Sequence, residues 1–153
     1  MKVGYVYDPI YLKHDTGYHP ENAQRLEAVI AYLKETGLIE QLMPIKPRPV
    51  TIEELTYVHQ ASYVSRIQDS ALRGGDWLDA DTVMSPDSYD AALYAAGGAI
   101  EATEAVISGR ANSAFALVRP PGHHATAAAA MGFCLFNNIS IACQYALKKH
   151  GLE

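Results

Sequence analysis

A short apolar run that ends in a rigid polar loop is the feature that most restricts how this chain can fold. Residues 114–118 are all apolar, and Arg119 and Pro120 follow them directly. A strand with one face in solvent would alternate polar and apolar positions, and this run does not. Uniformly apolar strands are typical of parallel sheets covered on both faces. The chain is therefore predicted to be an α/β protein whose mainly parallel sheet is flanked by helices.

Two further segments fit strands of such a sheet. Residues 2–7 alternate, are rich in β-forming residues and precede an Asp-Pro pair, which predicts the first strand. Three prolines limit residues 42–50 to a short edge strand or an extended connection. Residues 74–85 are acidic and are predicted to form a loop.

Helices are predicted between these segments from apolar periodicity, capping residues and terminating glycines. They begin at Pro20, at the capping box of Thr51 and Glu54, at Ala61, at Ser85-Pro86 and at Asn137. The first ends near Gly37, the third near Leu72 and the last at His150. The fourth carries alanine and glycine along its middle, and each glycine weakens an isolated helix by roughly 1 kcal/mol. Another element is therefore expected to pack closely against it.

Composition excludes several classes of protein. The chain has 153 residues, of which 49% are hydrophobic and 19% charged, and these values fit one globular domain or part of one. The net charge of −5, without a basic stripe, argues against a nucleic-acid surface. No run of 18 apolar residues predicts a membrane span, and the N-terminus does not resemble a signal peptide, so a cytoplasmic location is expected. Cys134 and Cys143 lack the spacing of a disulfide framework or a zinc knuckle.

The adjacent pair His123 and His124 is the strongest chemical signal. Pro120, Pro121 and Gly122 stiffen the loop that carries the pair. The loop follows the carboxyl end of the predicted buried strand, which is where open α/β sheets bind ligands. Imidazoles can transfer protons near neutral pH or bind metals, so the sequence predicts a functional loop and leaves both roles open.

Several motifs, in order along the chain, resemble those of the zinc-dependent deacetylase superfamily. This superfamily contains histone deacetylases, acetylpolyamine amidohydrolases and bacterial deacetylase-like amidohydrolases. The matching segments are His19-Pro20-Glu21 with Arg25, Val58-His59 with Tyr63, Asp79 to Thr82, Ser85-Pro86 with Tyr89, Arg119 to Ala125, and Met131 to Asn138. Leu117-Val118 and Phe136-Asn137-Asn138 resemble the class II and bacterial branch in particular.

The resemblance implies the N-terminal part of an arginase/deacetylase-like three-layer fold. It also implies zinc-dependent hydrolysis of an N-acetyl amide on a lysine or a polyamine, with release of acetate. His123 resembles the histidine that polarises the nucleophilic water, and His124 resembles the one that acts as general base and then general acid.

The resemblance assigns roles to five more residues. Gly132 and Phe133 resemble the wall of the acyl-lysine tunnel, and Asp81 resembles the rim aspartate that binds substrate amides. Arg25 and Gly122 resemble residues of the product channel. Taken singly, each has a plainer interpretation: a surface ion pair for Arg25, a loop cap for Asp81, a core aromatic for Phe133 and turns for the glycines.

The resemblance also implies what residues 1–153 lack. Family members place their zinc ligands, and the carboxylates that orient the two histidines, after the region that this chain matches. No metal ligand is therefore assigned, and tight zinc binding by this chain is not expected. The chain is interpreted as the N-terminal part of a single deacetylase-like domain that is inactive alone. Its expected partners are the missing C-terminal half or a second copy, paired through the open sheet edge.

Two other functions remain open at this point. The chain could be a non-catalytic binding or assembly module, or one half of a split deacetylase. Alternatively, Cys134 with His123 or His124 could form a metal-free thiol hydrolase, although no third group to orient such a pair is visible. His19 and His59 are interpreted as structural, and His14 receives no role.

Overall fold

A three-stranded parallel sheet forms the centre of the computed structural model, which describes residues 1–152. The strands are β1 (Val3–Val6), β2 (Met43–Ile45), β3 (Asp76–Trp77), β4 (Val83–Met84) and β5 (Ser113–Ala116). The helices are α1 (Ala23–Glu35), α2 (Ile52–Leu55), α3 (Ala61–Leu72), α4 (Ser88–Ile107) and α5 (Asn138–His150), with short 3₁₀ turns at Pro9–Lys13 and Ile39–Gln41. Within residues 1–152, none of the helices combines the length and apolar character needed to cross a membrane.

The sheet has the order β2-β1-β5, and both strand pairs are parallel. Val6 lies opposite Ile45 on one side and Ala116 on the other, so the carboxyl ends of the three strands lie side by side. The loop with the two histidines starts at this end of the sheet. The predicted α/β class, with a parallel sheet flanked by helices, is confirmed.

Helix α4 packs closely on the sheet because its middle carries almost no side-chain bulk. A Cβ atom at Gly97 would overlap the backbone carbonyl of Arg48. A Cβ atom at Gly98 would lie 2.8 Å from Tyr11 Oη and 3.0 Å from a methyl group of Val6. The close packing predicted from the alanines and glycines is therefore present, and its partners are β1 and the segment before α2.

A second apolar cluster joins α3, α4 and α5. Phe136 and Leu135, which precede α5, are fully buried in it. The hydroxyl group of Tyr63 on α3 donates a hydrogen bond to the Leu135 carbonyl oxygen at 2.5 Å. Asn137 caps α5 by accepting a hydrogen bond from the Ser140 N–H at 3.1 Å. This packing fixes the segment that follows the histidine loop.

The acidic segment differs from its prediction as a plain loop. Residues 76–84 form an antiparallel hairpin in which Asp76 lies opposite Met84 and Trp77 opposite Val83. Strands of two residues are too short to produce a recognisable alternation, so the sequence pattern missed them.

Two helix starts also differ from the predicted positions. Helix α1 begins at Ala23 rather than Pro20, and α4 begins at Ser88 rather than Pro86. The Ser85 hydroxyl group does not cap α4; it accepts a hydrogen bond from the Asp15 N–H at 3.1 Å. The Ser88 hydroxyl group accepts one from the Ser85 N–H at 2.8 Å. Contacts with the loop before α1 thus decide where α4 begins.

Residues 1–152 do not cover strand β5 on both faces. The prediction of a strand buried on both faces is therefore wrong for the described part of the chain. The strand ends at Ala116, and Phe115 is 63% exposed. Side chains alternate along a strand, so Phe115 faces away from the side on which Ala114 packs against α4. Strand β5 pairs with β1 alone among residues 1–152, and its other edge is open. Part of the apolar run therefore lies on a surface that residues 1–152 leave exposed.

Candidate active site

The two adjacent histidines lie on the surface of a loop that is buried at its base. Their ring centroids are 4.3 Å apart and the rings are tilted by 58°. Both side chains are exposed, whereas Arg119, Pro120 and Gly122 are buried. The pair is therefore accessible to solvent while the backbone that carries it is fixed.

Gly122 is where the base of the loop meets the start of α5. A Cβ atom at Gly122 would collide with the Phe136 carbonyl and would lie 2.5 Å from the Asn138 nitrogen. The Asn138 side chain donates a hydrogen bond to the Pro120 carbonyl oxygen at 3.2 Å. The glycine is required here because two backbone segments are in contact.

Residues 131–134 form a tight turn beside the histidines. Met131 and Cys134 exchange backbone hydrogen bonds of 3.2 and 3.0 Å. Gly132 and Phe133 both have positive φ angles, +55° and +71°, which is the pattern of a type I′ turn. Phe133 is the one non-glycine residue with a positive φ in the part of the chain that the structure describes. Such conformations are strained and concentrate at functional sites.

Gly132 and His124 are in direct contact. A Cβ atom at Gly132 would lie 2.8 and 2.9 Å from two atoms of the His124 ring. The ring therefore packs on the bare backbone of the turn, and any side chain there would displace it. Gly132, expected to line the tunnel, and His124, expected to transfer protons, are therefore neighbours on one surface.

Thr82 connects this turn to the hairpin that carries Asp81. The buried Thr82 hydroxyl group accepts a hydrogen bond from the Phe133 N–H at 3.1 Å. The Phe133 ring is partly buried and packs edge-on against His19, with ring centroids 4.6 Å apart. His19, expected to be structural, thus supports a predicted tunnel residue.

Asp81 is exposed in the loop between β3 and β4. Its own N–H donates a hydrogen bond to Asp79 Oδ1 at 2.9 Å. This hydrogen bond is the main reason that the pKa of Asp79 is lowered. Asp79 therefore caps this loop, and the Asp81 carboxylate lies at the surface.

Arg25 and Gly122, both expected in the product channel, line different clefts. Arg25 lines a cleft of about 350 Å³ between α1 and the end of β5. Gly122 lines a second cleft, of about 370 Å³, together with His123. Pro121 borders both clefts. Within residues 1–152, Arg25 forms no salt bridge, so the surface ion-pair interpretation has no support.

A buried charged cluster that sequence reasoning missed lies under the histidine loop. Arg119 binds Glu21 through Nε and Nη2, at 2.5 and 2.9 Å, and donates hydrogen bonds to the carbonyl oxygens of Tyr11 and His14, both at 3.1 Å. His14 Nδ1 lies 2.7 Å from Ser88 Oγ. Burial lowers the pKa of His14 to about 4, so the ring is neutral near pH 7. An arginine at the end of an apolar run was the available signal, because a buried guanidinium requires a carboxylate partner.

Cys134 lacks the features of a reactive thiol. Its side chain is fully buried, and burial raises the pKa of the thiol. The His124 N–H donates a weak hydrogen bond to its sulfur at 3.5 Å.

His59, expected to be structural, is buried and supports the start of α5. Its Nε2 accepts a hydrogen bond from the Asn137 N–H at 2.9 Å.

The described residues do not offer a zinc site. A catalytic zinc needs three protein ligands, which converge from His, Cys, Asp or Glu side chains. No group of three or more such side chains able to hold a metal occurs in residues 1–152. The tandem histidines could supply at most two of the three ligands that such a zinc requires.

Comparisons with known proteins agree with this geometry. The histone deacetylase domain family matches residues 19–153. A probable deacetylase of Methanothermobacter thermautotrophicus is 37% identical over 148 residues, which are 97% of this chain and 44% of that protein. The histone deacetylase-like amidohydrolase of Pseudomonas aeruginosa is 39% identical over 150 residues, 98% of this chain and 38% of that protein.

A solved structure shows the same fold. The crystal structure of the HDA15 HD domain matches with a TM-score of 0.92 and 34% identity, over 97% of this chain and 43% of that chain. The chain thus spans less than half the length of each of these three proteins. The predicted resemblance is confirmed: this chain belongs to the histone deacetylase family and corresponds to an N-terminal segment of its domain.

Proposed function

We propose that this chain supplies the proton-transfer and acyl-binding part of a zinc-dependent amidohydrolase. The substrate is an N-acetyl amide on a lysine or a polyamine, and the products are acetate and the free amine. The observation that most directly supports this proposal is the contact between the His124 ring and the Gly132 backbone. It brings a proton-transfer group and a surface without side chains to one place, as hydrolysis of an amide at the end of a slender methylene chain requires.

His123 and His124 are the proposed catalytic residues. Water adds to the carbonyl carbon, the C–N bond breaks, and the proton taken from water passes to the departing amine nitrogen. A ring within hydrogen-bond reach of both the water and the amine can carry that proton. The exposed pair, with ring centroids 4.3 Å apart, has the access and proximity that this transfer needs.

Gly132 and Phe133 are proposed to line the acyl-lysine tunnel, with Asp81 at its rim. The bare backbone at Gly132 lets the His124 ring pack directly against this wall. The aromatic face of Phe133 suits the methylene chain of a lysine or a polyamine. The hydrogen bond from Phe133 to Thr82 links this wall to the Asp81 loop. An exposed carboxylate there can accept hydrogen bonds from substrate amides.

Arg25 and Gly122 are proposed to guide the acetate product. The guanidinium of Arg25 lines the cleft at the end of β5 and can bind a carboxylate through two hydrogen bonds. Gly122 lines the adjoining cleft next to His123. Their shared border at Pro121 supports a continuous path, although each lies in its own cleft in this chain.

The zinc ligands are proposed to come from residues other than 1–152, because the described side chains do not form a site. Residues 1–153 are thus proposed to be the N-terminal part of one deacetylase domain. The open edge of β5 supports the docking of the remaining part there, whether it continues the same polypeptide or belongs to a separate one.

A zinc titration and an acetate-release assay test the division of the site. Purified residues 1–153 are expected to show neither tight stoichiometric zinc binding nor turnover of an acetyl-lysine peptide. The protein with its complete domain is expected to show both. Tight zinc binding with turnover by the 153-residue chain would contradict the division.

The catalytic role of His124 is tested in the complete domain by His124→Ala. Loss of a general acid–base group is expected to lower kcat by about 10²- to 10⁴-fold. His150→Ala is the matched control, because that residue pairs with Glu104 on α4 and lies at the far end of α5. Equal activity of the two variants would remove His124 from the mechanism.

A further inference from the structure

A cleft of about 350 Å³ lies next to the segment that leads into the turn at residues 131–134. Its walls come from α3 and the Arg73 that follows it, from the strand with Trp77, and from residues 129–130. Arg66 and Arg73 stand one heptad apart on the α3 wall. None of these residues has a role in the proposed reaction.

The cleft has a positive charge without an internal partner. Neither Arg66 nor Arg73 forms a salt bridge with any residue of the described range 1–152. Arg66 packs over the Tyr63 ring and donates a hydrogen bond to the Ala128 carbonyl oxygen at 2.8 Å. One carboxylate, that of Asp76, lines the cleft, so two guanidinium groups face one acid. The excess charge suits an anionic ligand group.

The remaining lining adds an apolar surface and one unsatisfied hydroxyl group. Ser70 is 98% buried, and its hydroxyl oxygen has no hydrogen-bond partner within residues 1–152. Trp77 is 63% exposed at the rim. A ligand that carries a carboxylate on a short aliphatic stem could contact the arginines with its charged end and the tryptophan with its stem.

The cleft lies close in the chain to the proposed acyl-lysine tunnel. Ala130 lines the cleft, and Gly132, two residues later, contacts His124. Two residues span at most about 7 Å. A peptide whose acetyl-lysine enters beside Gly132 can therefore place a side chain one to three residues away in the cleft.

We propose that this cleft selects acetylated polypeptides with an acidic side chain within about three residues of the acetyl-lysine. The inference rests on the proposed amidohydrolase function and narrows its substrate class. Arg66 and Arg73 attract a glutamate or aspartate side chain and repel the cationic body of a polyamine. Acetylated peptides are thus preferred over acetylpolyamines.

Trp77 provides the readout for a binding test because it is the single tryptophan of the chain. Its fluorescence is followed, with calorimetry in parallel, while the 153-residue chain is titrated with two acetyl-lysine peptides. The peptides differ at one position, two residues from the acetyl-lysine, which carries glutamate in one and lysine in the other. The glutamate peptide is expected to bind about fivefold more tightly, and the difference is expected to shrink at high salt.

Charge reversal then assigns the preference to the cleft. Arg73→Glu is expected to abolish it, while Arg110→Glu, an equal charge change on an exposed residue outside the cleft, is expected to leave it intact. Circular dichroism verifies that both variants remain folded. Equal affinity for the two peptides, no detectable binding by either method, or equal effects of the two variants would overturn the proposal.

Unacetylated versions of the peptides separate this inference from the proposed function. A glutamate preference with affinities that loss of the acetyl group leaves unchanged would support the cleft and count against recognition of the acetylated side chain. Binding that requires the acetyl group but ignores the neighbouring charge would support the proposed function and overturn the cleft as a specificity site.

Discussion

Arg119 holds the histidine loop from beneath through contacts with two parts of the chain that are distant in sequence. Its partners, Glu21 and the carbonyl oxygens of Tyr11 and His14, lie about a hundred residues earlier. Removing one member of a buried ion pair leaves an unpaired charge and costs about 3 to 5 kcal/mol. The residues that hold the predicted catalytic loop in place are therefore different from the residues predicted to act on the substrate.

His14, in the same cluster, is expected to make stability depend on pH. In the unfolded chain it takes up a proton near its ordinary pKa of 6.5, whereas in the folded protein its pKa is about 4. The unfolded state binds more protons between these values, so the free energy of unfolding decreases as the pH falls from 6.5 to 4. His14→Asn is expected to remove on the order of 1 to 3 kcal/mol of this decrease. Urea unfolding across this pH range measures it.

His123→Asn is the control for the pH experiment, because the His123 side chain is exposed. It is expected to leave the slope unchanged. A His14→Asn protein with the same slope as the wild type would show that another group causes the loss.

The strained turn allows a test with two substitutions at Phe133. Both Phe133→Asn and Phe133→Val remove the ring, but asparagine tolerates a positive φ angle and valine does not. The valine variant is therefore expected to be less stable than the asparagine variant by about 1 to 2 kcal/mol. Equal urea midpoints for the two variants would mean that the turn does not require the left-handed conformation.

At the scale of elements, helix α4 organises the molecule. It contacts the sheet and α5, and its glycines are placed where the backbone near Arg48 and the side chains of Tyr11 and Val6 approach. Its low bulk was readable from the sequence, because glycines in a helix require a compensating contact. The partners were not readable, since they come from separate segments.

The two glycines of α4 should respond differently to alanine. Alanine favours a helix by roughly 1 kcal/mol over glycine, but Gly97→Ala would drive a methyl group into the Arg48 carbonyl. We expect Gly97→Ala to destabilise the protein by about 2 kcal/mol, as overpacking typically does. Gly98→Ala meets mostly side-chain ends and is expected to cost less than about 1 kcal/mol. Thermal unfolding compares them, and an unchanged melting temperature for Gly97→Ala would contradict the close approach.

At the scale of the whole molecule, the open sheet is the unusual property. Strand β5 lies at an edge, and exposed Phe115 and Ile139 lie close to it. Exposed strand edges with apolar side chains favour association with another chain. The same surface borders the cleft that contains His123, so whatever covers it would also enclose the predicted site.

The 153-residue chain alone is therefore expected to self-associate. The double substitution Phe115→Lys with Ile139→Lys is expected to shift it toward monomer. A charge on the edge strand opposes strand pairing, and the charge on α5 breaks up the exposed apolar surface next to it. Ile52→Lys is the control, since Ile52 is 53% exposed and lies on α2. Sizing with light scattering measures the mass. A monodisperse wild-type monomer, or equal effects of the two sets of substitutions, would contradict this role of the edge.

The sequence by itself determined the class of the fold, the family and several local structures. The α2 capping box forms between Thr51 and Glu54 as predicted, and α3 spans Ala61–Leu72 as predicted, because their signals involve residues close together in the chain. The motifs around His123 and His124 identified the family for the same reason: each is a continuous stretch. The roles assigned to these residues remain predictions.

Only the tertiary structure decided which distant residues meet. The contact of Gly132 with His124, the link from Phe133 to Thr82 and the ion pair of Arg119 with Glu21 join segments that no periodicity connects. It also decided that Phe115 is exposed, because coverage of a strand depends on what packs on the sheet rather than on the strand's own residues. Local sequence sets backbone preferences, but burial and ion pairing depend on neighbours that folding brings together.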